Sequence, residues 1–219
     1  MNSYLNKEFN YFDQCRSEVL AWMPAKVEKV FEVGCGSGAT LKHIKQKGLA
    51  GWVGGMELVE SVVVAGKEID MLIQGNIEEC DIPLSEASID VILCLDVLEH
   101  LVDPWAVVVK LKKYLKPGGM IIGSLPNVKN LKVVIPLIFM DNWQYVDAGQ
   151  LDRTHLRFFT KKTAVKLFQN AGLEIVATPI WFSGKGNAGL LNKFTLGLFR
   201  SFLVNNIYVC ARKTNSLDC

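Results

Sequence analysis

The sequence predicts an α/β fold built on a doubly wound, mostly parallel sheet. Three observations predict it. Seven short apolar runs of strand length alternate with stretches of helical period. A glycine turn, Gly34-Cys35-Gly36-Ser37-Gly38, joins the first strand to the first helix. The run Asp90-Val91-Ile92-Leu93-Cys94-Leu95 is β-rich and suits a central parallel strand buried on both faces.

Taken in order, residues 11–22 place Phe12, Cys15, Val19 and Trp22 at helical spacing, and Pro24 ends them. Residues 30–33 form the strand before the glycine turn, and 39–47 the helix after it. Residues 51–58 read as the second strand, with Glu57 at its carboxyl end. A helix over 59–69 and a short strand and turn over 71–78 follow. The 90–95 strand runs into Asp96-Val97-Leu98-Glu99-His100-Leu101. Asp103 then caps a helix with Pro104 at its first position, ending near Leu115. Lys116-Pro117-Gly118-Gly119 turns the chain into a fifth strand, 120–125. Residues 126–160 break the alternation. Within them, 131–140 is apolar but interrupted by Lys132 and Pro136, and reads as a short buried helix. Thr160 caps a helix over 161–171, closed by Gly172. Residues 173–181 and 207–212 read as the last two strands, an antiparallel hairpin at one edge. Between them, 189–203 is apolar nearly all round, which suits a packed lid, a homodimer helix or reversible membrane contact. The expectation is one domain over 1–219, with insertions at about 126–160 and 182–204.

The chain of 219 residues is long enough for a substantial core. Its net charge of +2 gives no electrostatic case for general nucleic-acid binding. The polar N-terminus shows no signal-peptide core, and no apolar run reaches the ~18 residues of a membrane span. The six cysteines form no C-x-x-C pair, so reduced thiols in a cytoplasmic protein are expected and a cysteine zinc site is not.

The alternating glycines remove Cβ atoms where the backbone must bend and approach a ligand. The helix behind them offers free N–H groups and a positive dipole end. Gly34, Gly36 and Ala39 also satisfy a dinucleotide fingerprint. Glu32 argues against it, because a carboxylate there would repel a pyrophosphate. S-adenosylmethionine carries a sulfonium and an ammonium instead, which an acidic group favours. Glu57, about 20 positions beyond the turn, suits a ribose diol.

Glu32-Val33-Gly34-Cys35-Gly36-Ser37-Gly38 resembles the E/D-x-G-x-G-x-G signature of class I S-adenosylmethionine-dependent methyltransferases. With Glu57, the D-x-L-E-H-L stretch at 96–101 and L-K-P-G-G at 115–119, the resemblance covers about residues 28–126. It implies a seven-stranded Rossmann-like sheet with an antiparallel last strand. It also implies a cofactor site made by Glu32, Gly34, Cys35, Gly36, Gly38, Glu57, Leu58, Asn76, Ile77 and Leu95. The N-terminal segment then lids the pocket, and Tyr11 and Arg16 reach toward cofactor or acceptor. Residues 143–160 resemble the W-x-Y…G-x-L-D-x-T-H-L-R-F-F-T pattern of bacterial methyltransferases associated with cell-surface sugar and polysaccharide biosynthesis. Members often carry a histidine where Asn130 stands here. Two aromatics, several charges and a histidine in one connection suggest a substrate wall, with Trp143, Tyr145 and Arg157 beside a small-molecule or saccharide acceptor, while Phe158 and Phe159 read as core packing.

A sugar hydroxyl is a poor nucleophile at neutral pH and needs a base or a Lewis acid. His155 is the expected base, with Asp152 or Glu99 orienting it and Glu99 and His100 facing the acceptor beside it. The alternative is a divalent ion on Asp96, Glu99, His100 and His155, which resembles the metal cluster of small-RNA 3′-end 2′-O-methyltransferases. The expected reaction is O-methylation of a saccharide or small-molecule hydroxyl. A ubiquinone-type phenol O-methyltransferase and a non-catalytic cofactor-binding partner subunit are the alternatives.

Overall fold

The computed structural model describes residues 13–60, 68–181 and 186–214. A 3-10 turn, Ser17–Trp22, leads into β1 (Val27–Val33). Then come α1 (Ala39–Gln46), β2 (Ala50–Glu57), β3 (Met71–Gln74) and β4 (Ile89–Leu95). Next are α2 (Pro104–Tyr114), β5 (Leu115–Pro126), α3 (Leu131–Met140) and α4 (Lys161–Asn170). The chain continues through β6 (Glu174–Ala177), α5 (Gly186–Phe194), α6 (Arg200–Leu203) and β7 (Asn206–Arg212).

The seven strands run in the order β3-β2-β1-β4-β5-β7-β6. All pair in parallel except β7, which inserts antiparallel between β5 and β6. Alternate side chains of the central strands enter opposite cores, as a pleated strand requires. Phe31, Val33, Ile92 and Cys94 join α2 and α4 on one face. Val30, Val91, Leu93 and Leu95 join α1 and Val19 of the 3-10 turn on the other. Both faces are therefore covered, which explains why the β4 segment is apolar at nearly every position.

Three sequence expectations change. The 11–22 helix reduces to the 3-10 turn from Ser17, because Arg16 is held by a polar network rather than by a helix; Tyr11 and Phe12 lie outside the described residues. Residues 61–67 of the expected 59–69 helix also lie outside them. The L-K-P-G-G stretch is not a turn before β5 but its first part, paired through Gly118 N–H to the Lys213 carbonyl at 2.9 Å. A register shift between Ile89 and Val91 absorbs the irregular residues. Finally, 131–140 is helical but not buried. Only Val133 is buried, and Ile138, Phe139 and Met140 face outward.

Candidate active site

The site forms at the carboxyl edge of the parallel strands. Gly34, Gly36 and Gly38 have φ of +66°, +54° and +77°. These left-handed conformations are costly for other residues. A Cβ at Gly34 would also meet Val97 Cγ2 at 2.9 Å. Gly38 is the N-cap of α1, and its carbonyl accepts from Lys42 N–H at 2.9 Å. The Glu57 carboxylate accepts from the N–H groups of Gly36 (2.9 Å), Leu58 (2.8 Å) and Val59 (3.1 Å). Burial raises its pKa while those three donors pull it back. Glu57 thus braces the glycine turn from the next strand.

Glu32 is buried, and its Oε2 has no hydrogen-bond partner. Burial pushes its pKa up to about 8, with Arg16 opposing and Glu57 adding to the shift. A cavity of about 540 Å³ opens beside the turn, lined by Gly34, Glu57, Leu58, Asn76, Ile77 and His100 among others. Cys35 and Leu95, both expected at the cofactor, place their side chains in the core on the other face of the sheet. Asn76 lines the cavity but uses its side chain on its own turn. Its Oδ1 accepts from Glu78 N–H, and its Nδ2 donates to Glu79 Oε1, both at 3.0 Å.

Asp96, at the end of β4, has φ +55° and is held there from several sides. Its carboxylate pairs with Arg16, and Oδ1 accepts from Ser124 Oγ at 2.7 Å and from Asn206 Nδ2 at 2.6 Å. Arg16 also donates to Glu18 Oε1 at 2.8 Å and Tyr208 Oη at 3.0 Å. Burial opposes the Arg16 charge, yet Asp96, Tyr208 and Glu18 outweigh it and raise its pKa. The knot ties the N-terminal segment to β4, β5 and β7. It engages both Asp96 carboxylate oxygens, and Asp96 is not among the ligand atoms that converge, so the four-residue metal set loses a member.

The other three members do converge. Ligand atoms of Glu99, His100 and His155 lie within 4.8 Å of one another, and His155 Nε2 is 3.9 Å from Glu99 Oε1. The two imidazoles meet edge to face, centroids 4.7 Å apart. Each Nδ1 lies 3.2 Å from a backbone carbonyl: Thr154 for His100, Gln150 for His155. A carbonyl only accepts, so each Nδ1 carries hydrogen and each Nε2 is left as the basic nitrogen. Burial, then the neighbouring His155, lowers the His100 pKa to about 4, so its ring is neutral at pH 7. Glu99 is fully buried, neither of its carboxyl oxygens has a hydrogen-bond partner, and burial drives its pKa far up, with Asp96 adding to it. Its backbone carbonyl holds the histidine loop, accepting from Leu156 at 2.8 Å and Arg157 at 3.0 Å.

The outer wall differs in part from expectation. Trp143 and Tyr145 gather around Phe158 at 5.3 Å and 6.4 Å, and Phe158 lies 6.5 Å from His155. Phe158 thus belongs to the wall, whereas Phe159 is core. Arg157 points away, its Nε donating to the Val102 carbonyl at 3.1 Å and its guanidinium 5.8 Å from the Trp105 ring. Asp152 Oδ1 accepts from the Thr154 backbone N–H (2.9 Å) and hydroxyl (2.7 Å). Among the cavity-lining residues missed are Arg153 and Thr154, together with Met56, Glu78, Glu79 and Val97. The place of Arg153 and Thr154 within L-D-R-T-H, beside His155, was the available signal.

The chain is similar to known methyltransferases in sequence and in fold. The family model for a methyltransferase domain matches residues 4–178. The chain belongs to that methyltransferase family. A ubiquinone biosynthesis O-methyltransferase of Neisseria meningitidis serogroup A is 30% identical over 192 residues, covering 84% of this chain and 76% of the relative. One from Idiomarina loihiensis is 32% identical over 159 residues, covering 68% and 63%. Among solved structures, the complex of the Haloferax volcanii Trm112 methyltransferase activator with a methyltransferase matches with a TM-score of 0.68. That match has 16% identity and covers 93% of this chain and 90% of that one. A S-adenosylmethionine-dependent methyltransferase of Archaeoglobus fulgidus matches with a TM-score of 0.65 and 16% identity, covering 96% and 97%. The chain is therefore an S-adenosylmethionine-dependent methyltransferase with the seven-stranded fold of that class. The donor set suits that cofactor. Glu32 offers an unpaired buried carboxyl oxygen to a cationic ligand, and Glu57 offers an acceptor beside a glycine turn.

Proposed function

We propose that this methyltransferase acts on a hydroxyl of a ring-bearing small molecule or saccharide. In this reading Glu32 holds the cofactor's ammonium, and the Gly34–Gly38 backbone lies against it. Glu57 accepts from the ribose hydroxyls, while Asn76 and Ile77 border the adenine. S-adenosylmethionine supplies an activated methyl group on a sulfonium. The chain's own task is to align the acceptor and remove its proton, and alignment alone is worth about 7–11 kcal/mol.

One observation carries the hydroxyl assignment. Glu99 is a buried carboxyl with two unpaired oxygens, facing two imidazoles whose basic nitrogens are both Nε2. Such a carboxyl ionises when positive charge arrives beside it. In the first reading that charge is the acceptor proton, taken by His155 Nε2, with Glu99 at 3.9 Å stabilising the imidazolium. The donor set favours a second reading, because two nitrogens and a carboxylate, each imidazole anchored through Nδ1–H to a carbonyl, suit a divalent ion. Such an ion would polarise the acceptor hydroxyl.

For the acceptor, two lines of support point to different rings. The W-x-Y…L-D-x-T-H-L-R-F-F-T likeness supports a surface saccharide, whereas the Neisseria and Idiomarina relatives support a phenol of the ubiquinone type. The Trp143–Phe158–Tyr145 wall offers ring faces to either. The test is transfer of labelled methyl from S-adenosylmethionine to sugar nucleotides, polysaccharide fragments and prenylated catechols, with and without chelator. Label is expected on an oxygen. His155→Ala should cut turnover by about 10²–10⁴ while S-adenosylhomocysteine binding is kept. Unimpaired turnover in His155→Ala, or label on nitrogen, would sink the proposal. Loss of turnover on chelation, restored by divalent metal, selects the second reading.

A further inference from the structure

The insertions at the carboxyl edge leave a large apolar face that no described part of the chain covers. On α3, Phe139 is 79% exposed, with Ile135, Leu137, Ile138 and Met140 also outward. On α5 and the loop to α6, Phe194, Leu196 and Leu198 are 84%, 91% and 80% exposed. Single exposed apolar residues are ordinary, but a cluster of this size marks an interaction surface.

The two parts adjoin. Lys129, just before α3, sits over the Phe202 ring of α6 at 4.0 Å and donates to Ser201 Oγ at 3.3 Å. Asn130, the N-cap of α3, donates to the Val204 carbonyl just after α6 at 3.0 Å. The face also touches the histidine loop, since Gln150 Nε2 donates to the Asn205 carbonyl at 3.4 Å. Pro126 of β5 pairs with Asn206 of β7, so both insertions leave the sheet at the edge that carries the glycine turn.

Charge selects the occupant. No Asp or Glu occurs from 129 to 140 and none lies between Glu174 and Asp218, so Asp141 at the C-cap of α3 is the one acidic residue adjoining four cations. Lys129, Lys132, Lys193 and Arg200 accompany the apolar side chains. A second copy of this chain would set these cations against one another. An anionic lipid surface takes both components, with apolar side chains at the acyl boundary and lysines among the headgroups.

We infer that α3 and the α5–α6 segment form one face that docks reversibly on an anionic lipid bilayer, with the catalytic edge of the sheet beside the membrane. The attachment does not depend on which hydroxyl is methylated.

Sedimentation of the full chain with vesicles tests it. One vesicle set is phosphatidylcholine alone, and the other is an equal mixture with phosphatidylglycerol. Binding is expected on the mixed vesicles and at least tenfold weaker on the neutral ones. Each basic residue near an anionic surface is worth about a fivefold change, so Lys132→Glu with Lys193→Glu should lower binding more than tenfold. Raising salt from about 0.1 M to about 1 M should weaken it in the same direction. Phe139→Ser with Phe194→Ser should abolish it. These side chains are exposed, so unchanged circular dichroism and thermal melting serve as the fold control. Protein that stays in the supernatant with both vesicle types overturns the proposal, as does equal binding to both or by the charge-reversed chain. A dimer in analytical ultracentrifugation that Phe139→Ser and Phe194→Ser dissociate, without vesicle binding, would overturn it in favour of a second copy.

Discussion

Glu32 should make cofactor affinity depend on pH in a way few surface carboxylates can. It is buried, one of its oxygens is unpaired, and its pKa is pushed up to about 8 from 4.5. Below that value the unliganded protein carries Glu32 in its neutral form. If the carboxylate pairs with the ligand's ammonium, binding must expel one proton. The observed Kd then carries a penalty equal to the cost of ionising Glu32 at the working pH. With a pKa of about 8, the penalty is about 100-fold at pH 6 and about fourfold at pH 7.5. Affinity for S-adenosylhomocysteine should therefore tighten about 25-fold, or about 1.9 kcal/mol, across that interval. Isothermal titration calorimetry in buffers of different ionisation enthalpy reads both the affinity and the released proton. Glu32→Gln should bind more weakly at pH 7.5 and lose the slope. The fold is affected in the opposite sense. The unfolded chain ionises Glu32 near 4.5, so the unliganded protein loses stability as pH rises from 4.5 to about 8. A flat affinity profile with no proton release would refute the pairing of Glu32 with a cationic ligand.

Gly34→Ala should abolish S-adenosylhomocysteine binding while leaving a cooperative unfolding transition. Its φ of +66° is left-handed, and the new methyl would meet Val97 at 2.9 Å, so the turn must move; calorimetric binding at the wild-type level would contradict this. Phe168→Ala should lower unfolding free energy by about 3–5 kcal/mol in urea titration. Phe168 is fully buried, and its ring fills the space over Gly123, where a Cβ would come within 2.6 Å of it.

The parts legible in the sequence were those written in local chemistry. A helix start declares itself by a capping side chain, and Asp103 does accept from Ala106 N–H at 2.9 Å. A sharp turn against a neighbouring strand declares itself by glycine, and all three glycines there have positive φ. The β4 segment lacks alternation because both its faces are covered. What could not be read was set by contacts far apart in the chain. Arg16 and Asp96 are 80 positions apart, and only the meeting of β4, β5 and β7 shows that they pair. That pairing decides the chemistry of the histidine cluster. It occupies the carboxylate nearest in sequence to Glu99 and leaves Glu99 to face His100 and His155. The same limit explains the misjudged α3. Its apolar composition implied burial, since a strongly apolar ten-residue segment ordinarily belongs to a core. Composition reports only that a surface prefers to leave water, not what it leaves water for. In α3 only Val133 is buried, and Ile135, Leu137, Ile138, Phe139 and Met140 are exposed. Among the described residues nothing covers that outward side of α3, so its apolar composition could not tell an exposed face from a core.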